Sequence, residues 1–423
     1  MPLVAIQGSN RHTRFFPAKR RQHAKAGRLP FGPLRRRLSV PIAVCLFWTP
    51  ALAAQWTIVD LGPANALSSV GKSINESSQV VGGAYTTRND YHAFVFDRGN
   101  ANDLGTLSGA SSVATGVNNQ GAVVGSSYAA AGVAEHAFLS RHGKLSDLGT
   151  LGGRNSVATG INDSALVVGF SDIALGCCVH AFLYKNGKMR DLGTLGGSSS
   201  HARAINSREQ VVGDSDTPGD GALHAFFYSA GRMRDLGTLG GMTSFARAIN
   251  EGGQVVGDAD TKGNFAHHAF IYRGATMQDL GTLGGKNSYA RGINNRNQVV
   301  GYSDTTPIAV HYQFGASTDK PNISTLSRSR GMAARVAYCL TADDRGRTLA
   351  HIGDLVEYNH HAFLYREDVG MLDLSELPEV SAAGWTSLNY AEAINDRGQI
   401  VGSGTIGGRS HAFLLSPVRE LTE

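Results

Sequence analysis

The amino-acid sequence predicts an all-β fold, and three observations support this prediction. Motifs recur about every 44 residues along most of the chain. Inside each repeat, hydrophobic and polar residues alternate with a period of two, which is typical of β-strands. The repeat array begins with a strand that has no partner before it and ends on a unit that lacks its last strand. The two ends are therefore complementary.

Three motifs define the repeat. Asp-Leu-Gly begins at Asp60, Asp103, Asp147, Asp191, Asp235 and Asp279. His-Ala-Phe begins at His92, His136, His180, His224, His268, His361 and His411. An Ile-Asn or Val-Asn pair ends at Asn75, Asn118, Asn162, Asn206, Asn250, Asn294 and Asn395, and a Val-Val-Gly or Ile-Val-Gly follows it. A constant order of motifs predicts one structural unit per repeat.

The fourth repeat shows how a unit is built. Strands are predicted at 202–206, 210–216, 224–228 and 233–237, so that each unit is a sheet of four. Turn chemistry separates them: Lys185–Lys188 in the preceding unit carries Asn-Gly at its tip, which favours a tight hairpin.

Counting units by this period gives about eight. Two of them are degenerate and are represented by His311–Phe314, Asn322–Leu326 and Asp343–Gly346. Gln55–Gly62 supplies a fourth strand for the last unit, whose third strand is His411–Leu415.

Residues 55–417 are thus predicted to form a single β-propeller of about eight four-stranded blades, closed by the N-terminal strand. A seven-bladed propeller and an open array are the alternatives, and 418–423 form a short tail. A closed ring has no open sheet edge, which favours closure.

Residues 1–54 are predicted to be a signal peptide with a long basic leader. Ten of the 39 Lys and Arg residues precede residue 38, and an apolar run from Leu38 to Trp48 leads to Ala51, Ala53 and Ala54. The run is too short to span a membrane, so no transmembrane segment is expected in the mature chain. We expect a secreted or periplasmic protein, with cleavage just before or just after Ala54.

The rest of the chain carries 29 basic and 34 acidic side chains and is mildly acidic. Nucleic-acid binding depends on neutralising phosphates with clustered basic residues, which this part does not supply. Nucleic acid is therefore excluded as a partner.

These motifs resemble the HAF-repeat family of bacterial extracellular proteins. The resemblance runs from Trp56 to Pro417 and includes the glycine-rich crossing Gly193–Gly197, the Ala-Ile-Asn hairpin and His-Ala-Phe. It implies export and a repeated β fold. It implies no activity and no catalytic residue.

The repeated histidines have two interpretations. Imidazole binds metals and titrates near neutral pH, but equivalent positions of different blades cannot converge on one ion unless they line the axis. We therefore predict that His92, His136, His180, His224, His268, His361 and His411 are structural, and that the protein holds no metal and no cofactor.

One position of the first strand varies between units. It holds Lys72, then Thr115 and Thr159, then Arg203, Arg247 and Arg291, and finally Glu392. An arc of three arginines beside Lys72 is a candidate site for an anionic ligand. The alternative is that each arginine pairs with an aspartate of a neighbouring strand.

The sequence favours an exported, non-enzymatic binding or scaffold protein of the cell envelope or extracellular space, with a polysaccharide or envelope protein as its partner and an anionic glycan among the candidates. The alternative is a propeller-fold carbohydrate-active enzyme, a hydrolase or a lyase. Units two to five are nearly interchangeable, which favours binding, whereas an enzyme needs a cluster drawn from unequal units.

Overall fold

The computed structural model describes residues 56–62, 66–86, 90–129, 134–174, 176, 178–306, 308–310, 338–342, 348–352, 355–357 and 359–418. They all belong to one compact unit, Leu52–Glu423. This part of the chain is all-β, apart from one short helix and a single 3-10 turn at Pro218–Asp220. No helix in it is long and apolar enough to cross a membrane.

Four-stranded antiparallel sheets follow one another along the chain. After β1 (Trp56–Asp60), sheet 1 contains β2 (Ser69–Ile74), β3 (Val80–Tyr85), β4 (Tyr91–Asp97) and β5 (Asn100–Gly105). Sheet 2 contains β6 (Ser112–Val117), β7 (Val123–Tyr128), β8 (Glu135–Arg141) and β9 (Lys144–Asp147). Sheet 3 contains β10 (Gly152–Ile161), β11 (Val167–Ile173), β12 (Val179–Lys185) and β13 (Lys188–Asp191).

The next two sheets repeat the same order. Sheet 4 contains β14 (Ser200–Ile205), β15 (Val211–Asp216), β16 (Leu223–Ser229) and β17 (Arg232–Asp235). Sheet 5 contains β18 (Gly240–Ile249), β19 (Val255–Thr261), β20 (His267–Arg273) and β21 (Thr276–Asp279), and one parallel contact, between Leu223 and Thr243, joins it to sheet 4.

Sheet 6 is interrupted. It begins with β22 (Gly284–Ile293) and β23 (Val299–Thr305). Four short strands follow: β24 (Ile308–Val310), β25 (Tyr338–Ala342), β26 (Thr348–Ile352) and β27 (Leu355–Glu357). They pair with each other, β24 with β27 and β25 with β26, and β28 (His360–Arg366) and β29 (Gly370–Asp373) then complete sheet 6.

Sheet 7 joins the two ends of the described chain. The helix α1 (Pro378–Ala382) precedes β30 (Trp385–Ile394), β31 (Ile400–Ile406) and β32 (Arg409–Pro417). Its fourth strand is β1, which pairs antiparallel with β32, with Ile58 opposite Leu415.

The described residues thus form seven four-stranded sheets, where the sequence predicts about eight. The degenerate segments His311–Phe314, Asn322–Leu326 and Asp343–Gly346 lie outside the described residues. The third strand of sheet 6 comes from His361-Ala-Phe, because His361 takes the place opposite Ser303 that His224 takes opposite Ser215.

The core lies between consecutive sheets. The phenylalanine of His-Ala-Phe is fully buried in each of the last six sheets, as at Phe226. Between sheets 3 and 4, Phe226 and Ile205 pack with Leu183 and Val168 of the preceding sheet. Each interface repeats this arrangement, which explains the invariant spacing of the motifs.

Polar residues connect the sheets as well. Ser200 Oγ accepts from the backbone N–H of Ala181 in sheet 3 at 2.9 Å. The Nδ2 of each hairpin asparagine donates to the backbone oxygen of the asparagine in the next sheet, at 2.9–3.2 Å, from Asn75 round to Asn395. Asn395 in turn donates to the backbone oxygen of Asn75 at 3.1 Å.

Steric crowding explains why glycine follows the two valines in the Val-Val-Gly motif. A Cβ at Gly213 would lie 1.9 Å from the backbone oxygen of His201 on the adjacent first strand. Each first strand also carries a β-bulge, which in sheet 4 falls between Ala202 and Ala204. The bulge contains Arg203, which is the position of the first strand that varies between sheets. Bulges turn a side chain away from its regular direction.

Candidate functional site

The repeated histidines each contact one aspartate of the fourth strand. Seven Nδ1 to Oδ2 distances lie between 2.6 and 2.8 Å, and they join His92 to Asp103, His136 to Asp147, His180 to Asp191, His224 to Asp235, His268 to Asp279, His361 to Asp373 and His411 to Asp60. The other carboxylate oxygen accepts a backbone N–H two residues further on, as Asp235 does from Gly237. The contact fixes the third strand, the fourth strand and the following turn in every sheet.

Two of the candidate arginines form ion pairs within their own sheets. Arg203 Nε donates to Asp214 at 2.8 Å, and Arg247 Nε donates to Asp258 at 3.0 Å. Asp214 is only 1% exposed and also accepts from His201 at 2.9 Å. Burial opposes ionisation of Asp214, but the hydrogen bond from His201 and the charge of Arg203 outweigh it, so that the pKa of this carboxyl lies below its usual value. The positive charges of these two arginines are therefore matched locally.

The other two candidates have different surroundings. Lys72 Nζ lies 2.7 Å from Glu392 Oε1, so this ion pair connects sheets 1 and 7. Arg291 lies two residues after Tyr289, whose partner across the strands is Tyr302, the residue at the position of Asp214 and Asp258. Its Nη2 donates to the Tyr302 hydroxyl at 3.0 Å, and its guanidinium lies over the Tyr302 ring, 5.2 Å from the centroid.

The structure adds an aromatic cluster that sequence reasoning missed. Its members are Phe245, His267, Tyr289, Tyr302, His360 and Tyr390, from sheets 5, 6 and 7. Tyr302 is central, with its ring centroid 4.7 Å from Tyr289, 4.8 Å from Tyr390 and 5.6 Å from His360. His267 stacks on Tyr289 at 6.0 Å.

This cluster breaks the symmetry of the repeat. The position of Tyr289 holds Val70, Val113 and Val157 in the first three sheets. The position of Tyr302 holds Gly83 and Ser126 in the first two. Variation at these two repeat positions is a sequence signal that could have revealed the cluster.

Carboxylates surround the cluster, and each has a cationic or hydrogen-bonding partner. Asp304 accepts from Asn287 Nδ2 at 2.8 Å and lies 3.0 Å from His360 Nδ1. Asp260 lies 3.0 Å from His267 Nε2. Asp258 and Glu392 are held by Arg247 and Lys72, as described above.

Tyr289 and Tyr390 are neutral at physiological pH. Burial raises the pKa of Tyr289 to about 12, and the neighbouring Tyr302 and Asp258 add to the effect. Burial also raises the pKa of Tyr390, together with Tyr302 and Glu392. Burial works against the charge of Arg291, but Tyr302 and Glu392 outweigh it and raise the pKa of the guanidinium. The cluster thus combines neutral phenols, ring faces and one permanent cation.

One group of described residues has the spacing of a metal site. Ligand atoms of His361, Asp373 and Glu376 lie within 4.8 Å of one another. The hydrogen bond that His361 donates to Asp373, opposed by burial, raises the pKa of the imidazole. His361 and Asp373 make the contact that every sheet makes. Only Glu376 is specific to this sheet, because the equivalent position after Asp279 holds Thr282.

Successive four-stranded antiparallel sheets whose first strands lie side by side define the class of the β-propellers. No model of a known protein family matches the chain, and no curated protein matches it.

Several solved structures have a similar fold. A puromycin-hydrolyzing peptidase of Mycobacterium tuberculosis is 10% identical, with a TM-score of 0.44, and the match covers 87% of this chain and 56% of the peptidase. The β-propeller domain of the Trilobed protease from Pyrococcus furiosus, described as having an open velcro topology, is 9% identical, with a TM-score of 0.42 and coverage of 84% and 99%. An oligogalacturonate lyase in complex with manganese is 10% identical, with a TM-score of 0.43 and coverage of 86% and 94%.

Proposed function

We propose that the protein is an exported, non-enzymatic binding protein of the HAF-repeat type, built as a closed propeller of seven blades. Two contacts support closure: β1 pairs with β32, and Asn395 donates to Asn75. Seven asparagines linked in one circle support the blade number. Sheet 6 then carries an insertion between its second and third strands.

The export proposal rests on the order of residues 1–54, a basic stretch, an apolar run and small residues. N-terminal sequencing of the protein recovered from culture medium or periplasm tests it. We expect the mature chain to begin at Ala54 or Gln55. A chain that retains Met1 or Arg11 would contradict this proposal without touching the binding site.

The aromatic cluster is the observation that supports a binding function. Three tyrosines and two histidines from unequal sheets lie together, and each is only partly buried. Sugar rings offer an apolar face and a rim of hydroxyls, and aromatic rings that carry hydroxyl and imidazole groups complement both. We propose a glycan as the ligand, and the cluster as its site.

Substitutions already present elsewhere in the repeat test this site with little risk to the fold. Tyr289→Val and Tyr390→Val each install the residue that sheets 1 to 3 carry at the same position. In a glycan array followed by calorimetry, each should weaken binding by about 5- to 30-fold, equivalent to ~1–2 kcal/mol of lost stacking.

Phe170→Ser is the matched control. Phe170 holds the strand position of Tyr302, three sheets away, and Ser126 and Ser403 occupy it in sheets 2 and 7. We expect its affinity to equal that of the parent. If the parent binds no glycan, or if both tyrosine variants bind as the parent does, the site assignment fails and a protein ligand becomes the better hypothesis.

A carbohydrate-active enzyme, a hydrolase or a lyase, is the second candidate. His360 lies 3.0 Å from Asp304 and beside Tyr302, so an imidazole, a carboxylate, a phenol and the guanidinium of Arg291 share one place. Incubation with bound glycans, followed by assays for new reducing ends and for unsaturated products, distinguishes the two. New products that disappear in His360→Leu, which carries the residue of Leu223 in sheet 4, would establish the enzyme.

A further inference from the structure

The three arginines of the predicted arc are not equivalent. Arg203 and Arg247 each face a buried aspartate, whereas Arg291 faces Tyr302. Among the described residues, no carboxylate oxygen lies within 4.0 Å of the Arg291 guanidinium. Among the described residues, Arg291 is thus the one arginine of the arc that forms no ion pair with a carboxylate of its own sheet.

Glu392 and Asp258 act on this charge only from a distance, and each neighbouring carboxylate has a closer partner. Asp258 accepts from Arg247 at 3.0 Å, Asp304 accepts from Asn287 at 2.8 Å, and Glu392 contacts Lys72 at 2.7 Å. Among the described residues, an approaching anion therefore meets one arginine that no carboxylate contacts directly.

Arg291 also keeps donors available. Within the described part of the chain it donates one hydrogen bond, from Nη2 to Tyr302, out of the five N–H groups of a guanidinium. The side chain is partly exposed. Tyr302 lies beneath it, and the rings of Tyr289 and Tyr390 flank Tyr302 at 4.7 and 4.8 Å.

From this arrangement we infer that Arg291 alone binds a carboxylate of the ligand, and that the ligand is a glycan containing uronic acid, whose sugar ring lies against the tyrosines. A uronate fits because its carboxylate is attached directly to a ring. This inference rests on the proposed glycan-binding function and adds the determinant of specificity.

The experiment compares two forms of one ligand. Oligogalacturonate carries a carboxylate on every ring, and its fully methyl-esterified form has the same rings without the charge. We expect the parent to bind the acid at least tenfold more tightly than the ester. Arg291→Thr, which installs the residue of Thr115 and Thr159, should weaken binding of the acid by about 10- to 100-fold and leave the ester unchanged.

The double variant Arg203→Thr/Asp214→Ser is the matched control. It removes an arginine of the arc together with its own carboxylate, and sheet 2 already carries this combination as Thr115 and Ser126. We expect unchanged binding of both ligands. If all three arginines bound the ligand together, this control would instead lose affinity for the acid.

A second pair of variants keeps Arg291 and changes only its partner. Tyr302→Asp recreates the Arg–Asp pair of sheets 4 and 5, so the preference for acid over ester should disappear. Tyr302→Ser removes the same ring but supplies no charge, so the preference should remain although both affinities fall. Circular dichroism checks that each variant is folded.

Three results would overturn the inference. The parent could bind acid and ester equally, in which case glycan binding stands and the carboxylate assignment fails. It could bind dextran sulfate through Arg291 more tightly than the uronate, which would assign the site to sulfate esters. If it binds no glycan at all, the proposed function fails together with the inference.

Discussion

Ring closure makes a quantitative prediction for Asn395. Its Oδ1 accepts from the backbone N–H groups of Arg397 and Gln399 at 3.1 and 3.0 Å. Its Nδ2 donates to Gln399 Oε1 at 2.8 Å and to the backbone oxygen of Asn75 at 3.1 Å. Asn395→Ala removes all four bonds from a buried site, and we expect it to lower the free energy of unfolding by about 2–4 kcal/mol.

Asn206→Ala is the internal reference, because Asn206 makes the same four bonds inside the array. It accepts from Arg208 and Gln210, and it donates to Gln210 and to the backbone oxygen of Asn250. Urea denaturation of both variants should give losses equal within about 0.5 kcal/mol. If Asn395→Ala costs less than half as much as Asn206→Ala, the seam between sheets 7 and 1 is open in solution and the closed propeller is refuted.

Two further predictions concern polar contacts inside sheet 4, the His224–Asp235 pair and the buried Asp214. His224→Ala should lower the free energy of unfolding by only about 1 kcal/mol, because its partner Asp235 is 44% exposed and stays hydrated. Urea denaturation measures this, and an unchanged stability would mean that the contact contributes nothing. Because the pKa of Asp214 is lower in the folded protein than its unfolded value of 3.8, its contribution to stability is present above pH 3.8 and is lost as the pH falls through the folded value. Asp214→Asn should therefore be less stable than the parent at pH 6 and should approach it in unfolding experiments as the pH falls through the folded pKa of Asp214, and parallel pH profiles would contradict this.

Local structure could be predicted well from the sequence, because turn chemistry and strand alternation act over a few residues. The hairpin at Asn186-Gly187 has φ of 53° and 76° at these two residues, as a tight turn of the predicted type requires. The four strands predicted in the fourth repeat correspond to β14, β15, β16 and β17. The predicted partner of Gln55–Gly62 also corresponds to an observed pairing, since β1 lies against β32.

Sheet 6 could not be predicted from the period. Counting by repeats assigns its third strand to His311, but β28 begins at His360. The sequence period records spacing, whereas the pairing of β23 with β28 is decided by register and packing across a long intervening segment. Closing a longer loop costs little additional entropy, so β28 can become the third strand of sheet 6 although it is distant in sequence.

The candidate site could be predicted from the sequence even less well than sheet 6. The sequence allows ion pairs between the arginines and aspartates of neighbouring strands as one alternative, but only geometry shows that Arg203 and Arg247 form them and Arg291 does not. Its difference arises from Tyr302, which lies 11 residues away along the chain on the adjacent strand, where it pairs in register with Tyr289. The aromatic rings come from three sheets, and their meeting is a tertiary effect that no single repeat contains.

The hydrogen bonds between hairpins have a consequence for how such a chain grows. Every hairpin offers the same acceptor to one neighbour and the same donor to the other, and in sheets 4 and 5 the arginine brings its own aspartate. A duplicated copy of sheet 4 or 5 would therefore enter with the bonds of its hairpin asparagine matched on both sides and with its added arginine already neutralised. Gene duplication can extend an array of this kind without first evolving a new interface, and a later change at a single opposing residue, such as aspartate to tyrosine, releases a cation for recognition.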